Sequence, residues 1–359
     1  MASKKNDYGN DSISSLKGAD RVRKRPGVIF GSDGLDGCEH AVFEILSNSI
    51  DEAREGHGDL IIVTRFEDKS IQVEDFGRGC PVDWNEKEQK FNWELVFCEL
   101  YAGGKYNNND GDNYEYSLGL NGLGSCATQY ASEYFDAFIW RDGFKYSLHF
   151  EKGENVGGLS KEPTDRGKKT GSTFRWKPDL EVFTDIDIPV DYYTDVLKRQ
   201  AVVNAGITFH LKNEVAPGKF ETTDFCYENG ILDHARELVG EDALTPVQFW
   251  QSEKKVRDRA DMALYNVKIN VAAAFSNVAL SAASDMVLMS LTNSKMAARA
   301  SGVFRSSSMA VLNFLRASSH FSVRAVSVPW ALRMAKSRLS RQVYRRSKLF
   351  LQLSIRSTV

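Results

Sequence analysis

The stretch Glu44–Gly56, "EILSNSIDEAREG", decides how this chain is read. On an α-helix successive residues are about 100° apart, so Val42, Phe43, Leu46, Ile50 and Ala53 fall in one sector. That sector is an apolar stripe suited to packing on a sheet. Glu44, Asn48 and Asp51, spaced i, i+4, i+7, gather on the other side. Alone, two acids and an amide on one helical face describe a solvated surface. The neighbouring segments change that reading.

"VEDFGRGCP" (Val73–Pro81) places Asp75 at the end of a strand, followed by Gly77, Arg78, Gly79, Cys80 and Pro81. A carboxylate there can accept a hydrogen bond from an exocyclic amine such as that of adenine. Glycines beside it let the backbone come close to a planar base. "YAGGKY" (Tyr101–Tyr106) and "GLNGLG" (Gly119–Gly124) follow, the second running into a helix at "SCATQYASEYF". Free amides at such a junction suit a phosphate chain. "KKTGSTFRW" (Lys168–Trp176) adds Thr170 and Ser172, hydroxyls on a strand. Each element is weak by itself; their order is specific.

The chain has 359 residues, 42% hydrophobic and 26% charged, the balance of a soluble globular protein large enough for two domains. No apolar run is long enough to span a bilayer, and the polar start, "MASKKNDYGNDSISSLKG", lacks the apolar core of a secretory signal. Five scattered cysteines without a CxxC pair argue against a disulfide framework or a zinc site and fit the cytoplasm. The six histidines have no metal-ligand spacing. The net charge of −2 hides an asymmetry. All 48 acidic residues lie in 1–285 beside 33 of the 46 basic ones, a balance of −15, while 286–359 carries the other 13 and no acid.

Along the chain, a polar arm (1–15) precedes a helical segment that stops at Pro26-Gly27. A helix from about Cys38 to Arg54 is followed by a hairpin of "DLIIVTRF" and "SIQVEDFG" and a helix at "NWELVFCELYAGG". Strands are expected at "YFDAFIWRDG", "FKYSLHFEKG" and "GSTFRWKP", then a helix near 190–205 and a strand at "GITFHLKNE". Helices interleaved with mainly antiparallel strands indicate an α+β layered domain. A second unit begins at residue 220, with a helix at "NGILDHARELVG" and strands at "PVQFWQ" and "YNVKINVAAAF". From 278 to 359 the composition turns to Ser, Ala, Arg, Leu and Val without a clear period. This tail fits a basic nucleic-acid-binding segment, a helical extension, or translation out of the original frame; its skewed usage favours the last, and an out-of-frame tail would be disordered.

In this order the segments resemble the GHKL (Bergerat) ATP-binding domain shared by type IIA topoisomerases, the ninety-kilodalton heat-shock chaperones, MutL-type repair proteins and histidine kinases. "SLKGADRVRKRPGVIFG", "EHAVFEILSNSIDEA", "YAGGKY" and "GLNGLGSCATQYAS" are similar to segments of the bacterial gyrase B and topoisomerase IV ATPase subunits. The likeness runs over 8–277. It implies a layered α/β sandwich at 16–219, followed at 220–277 by the beginning of a transducer domain of the ribosomal S5 domain 2 type. The 278–359 tail is unlike the family.

The same resemblance implies roles. Glu44 matches the general base for the water attacking the γ-phosphate, Asn48 the Mg²⁺ ligand, and Asp75 the adenine-reading carboxylate. Ser172 matches a hydroxyl that supports Asp75 through water. Arg78 and Arg141 match arginines lining the mouth of the ATP pocket, and Gly77, Gly79 and Pro81 are further expected ATP-binding positions. Gly103, Gly104, Lys105, Gly119, Leu120, Asn121, Gly122, Leu123 and Gly124 match the lid over the triphosphate, and Ser125 is a further expected ATP-binding position. Asp51 and Glu52 match acidic positions beside the pocket, and Asp51 either lines it or supports Arg78 or the helix. Tyr8 matches the arm tyrosine that reaches the partner's nucleotide when ATP binding drives self-association. In the family the further partners are the gyrase A or topoisomerase IV C subunit and double-stranded DNA. The family's glycine-rich "GGTH"-like segment and its Gln-Thr-Lys loop do not follow Asn277, nor do the DNA-cleavage regions. Weak ATP hydrolysis or none is therefore the expectation. The alternatives are a nucleotide-binding fragment without productive catalysis and a MutL- or chaperone-type ATPase.

Overall fold

A computed structural model of the protein describes residues 15–102, 118, 122–164, 170–243, 245–256, 265–274, 284–291 and 348–355. The expected arm, except for its last residue, and most of the tail lie outside the described residues. The chain divides into two compact units, 1–107 with 119–193 and 210–223, and 108–118 with 194–209 and 224–359.

The first unit opens with two short helices, α1 (Asp20–Arg23) and α2 (Pro26–Phe30). Pro26 starts α2, where its missing N–H leaves no helical bond unmade. The long helix α3 spans Leu35–Arg54, beginning three residues before the expected Cys38. Then come β1 (Leu60–Arg65), β2 (Ile71–Asp75), the short ladder of β3 (Trp84–Asn85) and β4 (Lys90–Phe91), α4 (Asn92–Cys98) and α5 (Gly124–Tyr130). Four strands follow, β5 (Ser132–Arg141), β6 (Phe144–Glu151), β7 (Glu154–Pro163) and β8 (Gly171–Pro178). Helix α6 (Val190–Val203), which from residue 194 belongs to the second unit, precedes β9 (Thr208–Ala216) and β10 (Lys219–Phe225). The eight-stranded sheet has the order β10-β9-β1-β2-β8-β5-β6-β7.

Period-two alternation sets the inner face of the sheet. Ile61 and Val63 on β1, Phe135, Ala137 and Ile139 on β5, Tyr146, Leu148 and Phe150 on β6, and Phe174 and Trp176 on β8 are all buried. Phe97 of α4 meets Phe135, Phe150 and Phe174 at ring-centroid distances of 5.8, 5.8 and 5.9 Å. Such aromatic pairs contribute about 0.5–1.5 kcal/mol each beyond burial. On β2 the inward series is Ile71, Val73, Asp75. The same alternation that buries two apolar side chains therefore carries a carboxylate to the core side of the sheet.

Helix α3 packs against β1, β2 and α5. Covered from more than one side, it buries Cys38, Ala41, Val42, Ile45, Leu46, Ser49 and Ile50. That is broader than the apolar stripe expected from the sequence, and Phe43 is only half-buried. Helix α5 stops at Tyr130, and the expected continuation through "ASEYF" is strand β5 instead. Strand β7 has no apolar alternation because it is an edge strand, exposed along nearly its whole length. Arg23 of α1 donates to the Tyr130 and Ser132 carbonyls at 3.1 and 3.5 Å and pairs with Asp179 at 2.6 Å and Glu181 at 3.0 Å.

In the second unit, α7 (Ile231–Val239) is followed by β11 (Gln248–Val256), β12 (Tyr265–Ala274), β13 (Ser284–Leu291) and β14 (Lys348–Ile355). Its sheet has the order β11-β12-β13-β14, with β14 parallel to β13 and the other pairs antiparallel. Val202, Ile231, Ala235 and Ala272 form its core. Strands β13 and β14 fall in the tail, where the sequence has no clear period. Among the described residues no helix is long and apolar enough to cross a membrane.

Candidate functional site

Helix α3 connects two polar centres of the first unit. At the first, Glu44 faces the start of α5, where a Cβ on Gly124 would stand 2.3 Å from Glu44 Oε2. One turn on, Asn48 Nδ2 donates to the Glu44 carbonyl at 3.2 Å and to Ser125 Oγ at 3.3 Å. Its Oδ1 accepts no hydrogen bond among the described residues. One turn earlier, His40 Nε2 lies 3.1 Å from Glu44 Oε1, and His40 Nδ1 lies 3.2 Å from the Phe30 carbonyl. The hydrogen bond to Glu44 is the main reason the imidazole holds its proton above the usual histidine range; partial burial works against it.

At the second centre, Asp75 is 6% exposed. Its Oδ1 accepts from the Gly77 and Ser172 amides at 3.0 and 3.2 Å, and its Oδ2 accepts from Ser49 Oγ at 3.0 Å. Burial pushes the carboxyl up to about 6, partly opposed by these donors, and the charge of Glu52 adds to the upward push. Ser172 Oγ in turn accepts from the Cys80 amide at 3.2 Å. The loop after β2 is tied down on both sides. Arg78 Nε and Nη2 reach Glu52 Oε2 and Oε1 at 3.0 and 2.8 Å, and Arg141 Nη1 donates to the Gly79 carbonyl at 2.8 Å. Burial of Glu52 favours its protonated form, but the hydrogen bonds and charge of Arg78 outweigh that and hold it below the usual glutamate range.

No family model matches the chain. It is 35% identical over 253 residues to the DNA gyrase B subunit of Thermotoga maritima, an alignment covering 70% of this chain and 38% of that protein. It is 37% identical over 248 residues to the DNA topoisomerase 4 B subunit of Bacillus subtilis, covering 69% and 37%. A similar solved structure is the 43K ATPase domain of Thermus thermophilus gyrase B in complex with an aminocoumarin. That match has a TM-score of 0.58 and 26% identity over 73% of this chain and 63% of that one. The chain belongs to the gyrase B and topoisomerase IV B family. It carries the GHKL fold of the gyrase B ATPase domain, and it spans about two fifths of the length of the curated relatives it matches.

Of the residues that the family resemblance singled out, Glu44, Asn48, Gly124 and Ser125 meet at the first centre and Asp75, Gly77 and Ser172 at the second. Arg78, Gly79 and Arg141 form the tied loop, with Pro81 exposed beyond it. Gly122 and Leu123 precede α5, and Asp51 is buried. Tyr8, Gly103, Gly104, Lys105, Gly119, Leu120 and Asn121 lie outside the described residues.

Two of the glycines are required by the protein itself. Gly79 has φ 79°, and a Cβ there would stand 2.6 Å from the Trp140 carbonyl oxygen. Gly124 leaves room for Glu44. Two residues of the site, His40 and Ser49, do not stand out in the sequence, and Glu52 does so only through the resemblance. His40 stands at i−4 from Glu44, a spacing that places both on one helical face. Glu52 reads along the chain as one more acid beside the pocket, and it is the group that holds the Arg78 guanidinium. Ser49 sits among the buried residues of α3, where a small side chain passes for packing.

With both Asn48 amide hydrogens engaged, its Oδ1 is left as a hard oxygen donor of the kind that fits Mg²⁺.

Proposed function

We propose that this chain binds ATP with Mg²⁺ and is the ATPase module of a bacterial type IIA DNA topoisomerase. In this reading it works as an ATP-operated dimer clamp for DNA strand passage, together with the gyrase A or topoisomerase IV C subunit and double-stranded DNA. The observation that carries the reading is that neighbouring turns of α3 supply both centres. Glu44 and Asn48 turn toward α5 while Ser49 reaches the buried Asp75. In this reading the buried Asp75 reads the base and Glu44 activates the attacking water.

Glu44 takes the proton of the water that attacks the γ-phosphate, and His40 holds its carboxylate in place. Asn48 Oδ1 would hold Mg²⁺, which when bound screens the charge on the phosphate oxygens. Asp75 accepts from the exocyclic amine of adenine. Arg141, through the Gly79 carbonyl, and Glu52, through Arg78, keep the loop beside the base in position.

A second reading, nucleotide binding without turnover, is favoured by the sequence after Asn277, which has no Gln-Thr-Lys segment. Paired measurements of ATP-analogue affinity and of phosphate release separate the two. In the first reading Glu44→Ala keeps the affinity and loses the turnover. Equal turnover in Glu44→Ala would remove Glu44 from the mechanism, and a wild-type chain that binds without releasing phosphate supports the second reading.

A further inference from the structure

The two oxygens of Asp75 are used differently. Oδ1 is filled by two main-chain donors, the amides of Gly77 and Ser172 at 3.0 and 3.2 Å. Oδ2 takes a single donor among the described residues, Ser49 Oγ at 3.0 Å. A carboxylate oxygen offers two lone-pair directions. One direction on Oδ2 is therefore what this buried group has left for a ligand. The amides belong to the fold; Ser49, itself 1% exposed, is the one side chain among the three donors.

We propose that Ser49 is the positioning residue that keeps Asp75 Oδ2 an acceptor toward the nucleobase and thereby sets a preference for adenine over guanine. This rests on the reading of the site as a nucleotide pocket. Adenine presents an exocyclic N–H where guanine presents a carbonyl oxygen. An ionised Asp75 accepts from the first and repels the second. With a proton on Oδ2 it becomes a donor, and the discrimination is lost. Burial in the sheet core and the charge of Glu52 on α3 both favour that proton, while the hydrogen bonds oppose it. Arg78, the cation of the adjoining loop, is engaged by Glu52. Strand β8 presents the Ser172 amide to Asp75. Removing the Ser49 hydroxyl takes away the donor on Oδ2, and Asp75 then keeps its proton to higher pH.

The test is equilibrium binding of non-hydrolysable ATP and GTP analogues to the full chain, from about pH 5.5 to 8.5 across the expected titration. Wild type, Ser49→Ala, Ser49→Cys and Ser49→Thr are compared, with circular dichroism to check folding. Ser49→Ala should bind the ATP analogue several-fold more weakly near neutral pH, as follows when the titration midpoint rises by about one to two pH units for a lost hydrogen bond to a charged group. It should approach wild type at the alkaline end, with the midpoint of its pH profile moved up and its adenine-to-guanine ratio lowered. Ser49→Thr, which keeps the hydroxyl, should return the profile. An unchanged profile, or a uniform loss at every pH with the same midpoint and base ratio, overturns the proposal. If Ser49→Ala does not fold, Ser49→Cys, a weaker donor of similar size, carries the test: an upward shift supports the proposal and a wild-type midpoint overturns it. Folded wild type that binds no adenine nucleotide at any pH overturns the nucleotide reading itself. Normal wild-type binding with an unaltered Ser49→Ala overturns the role of Ser49 alone.

Discussion

Gly124 and Glu44 occupy one space: a Cβ on Gly124 would lie 2.3 Å from Glu44 Oε2 and 3.0 Å from Glu44 Cβ. Gly124 does not have a positive φ, so its backbone accepts alanine and the conflict is wholly between side chains. Gly124→Ala should displace the Glu44 carboxylate and cost about 1–3 kcal/mol of stability by overpacking. Turnover should fall toward that of Glu44→Ala, with ATP-analogue affinity changed far less. Steady-state kinetics beside a thermal melt checks this, and an unchanged kcat would mean that Glu44 can move aside without loss.

Both ring nitrogens of His40 face acceptors, the Phe30 carbonyl and the Glu44 carboxylate. A doubly protonated ring satisfies both at once. Because the folded state raises the pKa of His40, the stabilisation is complete below the ordinary value of about 6.5 and is lost as pH rises through the raised value. His40→Gln should therefore melt lower than wild type in acid, with the gap closing at alkaline pH. Its kcat should drop less than that of Glu44→Ala, since His40 acts through Glu44. Melting curves at several pH values test the sign, and a gap that widens with pH would contradict it.

The amphipathic helix, the β1–β2 hairpin and the strand ending in Asp75 were legible in the sequence because local periodicity encodes each of them. So was the grouping of Glu44 with Asn48 on one helical face. Ser49 was not legible, because only the crossing of α3 over the end of β2 distinguishes a buried hydroxyl that bonds Asp75 from one that fills space. Pairing of Arg78 with Glu52 also depends on tertiary approach, since Asp51 and Glu52 look alike along the chain. Strand β7 escapes a sequence reading for a different reason. An edge strand exposed along nearly its whole length has no apolar alternation to read. The likeness in "RVRKRPG" pointed to the family and was silent on what its first arginines do.

One of those arginines, Arg23, binds distant parts of the first unit together. Its guanidinium reaches two carbonyls at the junction of α5 and β5 and the carboxylates of Asp179 and Glu181. The Arg23 and Asp179 side chains are 13% and 7% exposed, so removing the cation leaves a nearly buried acid unpaired. Arg23→Ala should cost about 3–5 kcal/mol. Arg23→Lys should recover only part of this, because a single ammonium cannot reproduce the planar fork. Chemical denaturation measures both. A loss below about 1 kcal/mol, the size of an exposed pair, would refute the lock.

Asp75→Asn tests charge and recognition at the second centre together. The asparagine Oδ1 can accept from the Gly77 and Ser172 amides while its Nδ2 donates to Ser49, whose hydroxyl turns to accept. The fold is then satisfied, but the direction left for the ligand carries an N–H. ATP affinity should fall and the preference should move toward GTP, whose base presents an acceptor there. Stability should move the other way. Asp75 has a folded value of about 6 against an ordinary 3.8. Its contribution is therefore fully present below the ordinary value and is lost as pH rises through about 6. Relative to wild type, Asp75→Asn should gain on the order of 2–3 kcal/mol between acid and neutral pH. Melts at both pH values, alongside analogue binding, read the two effects separately. A variant that loses stability at neutral pH would show that the carboxylate is held as a favourable charge rather than tolerated as a costly one.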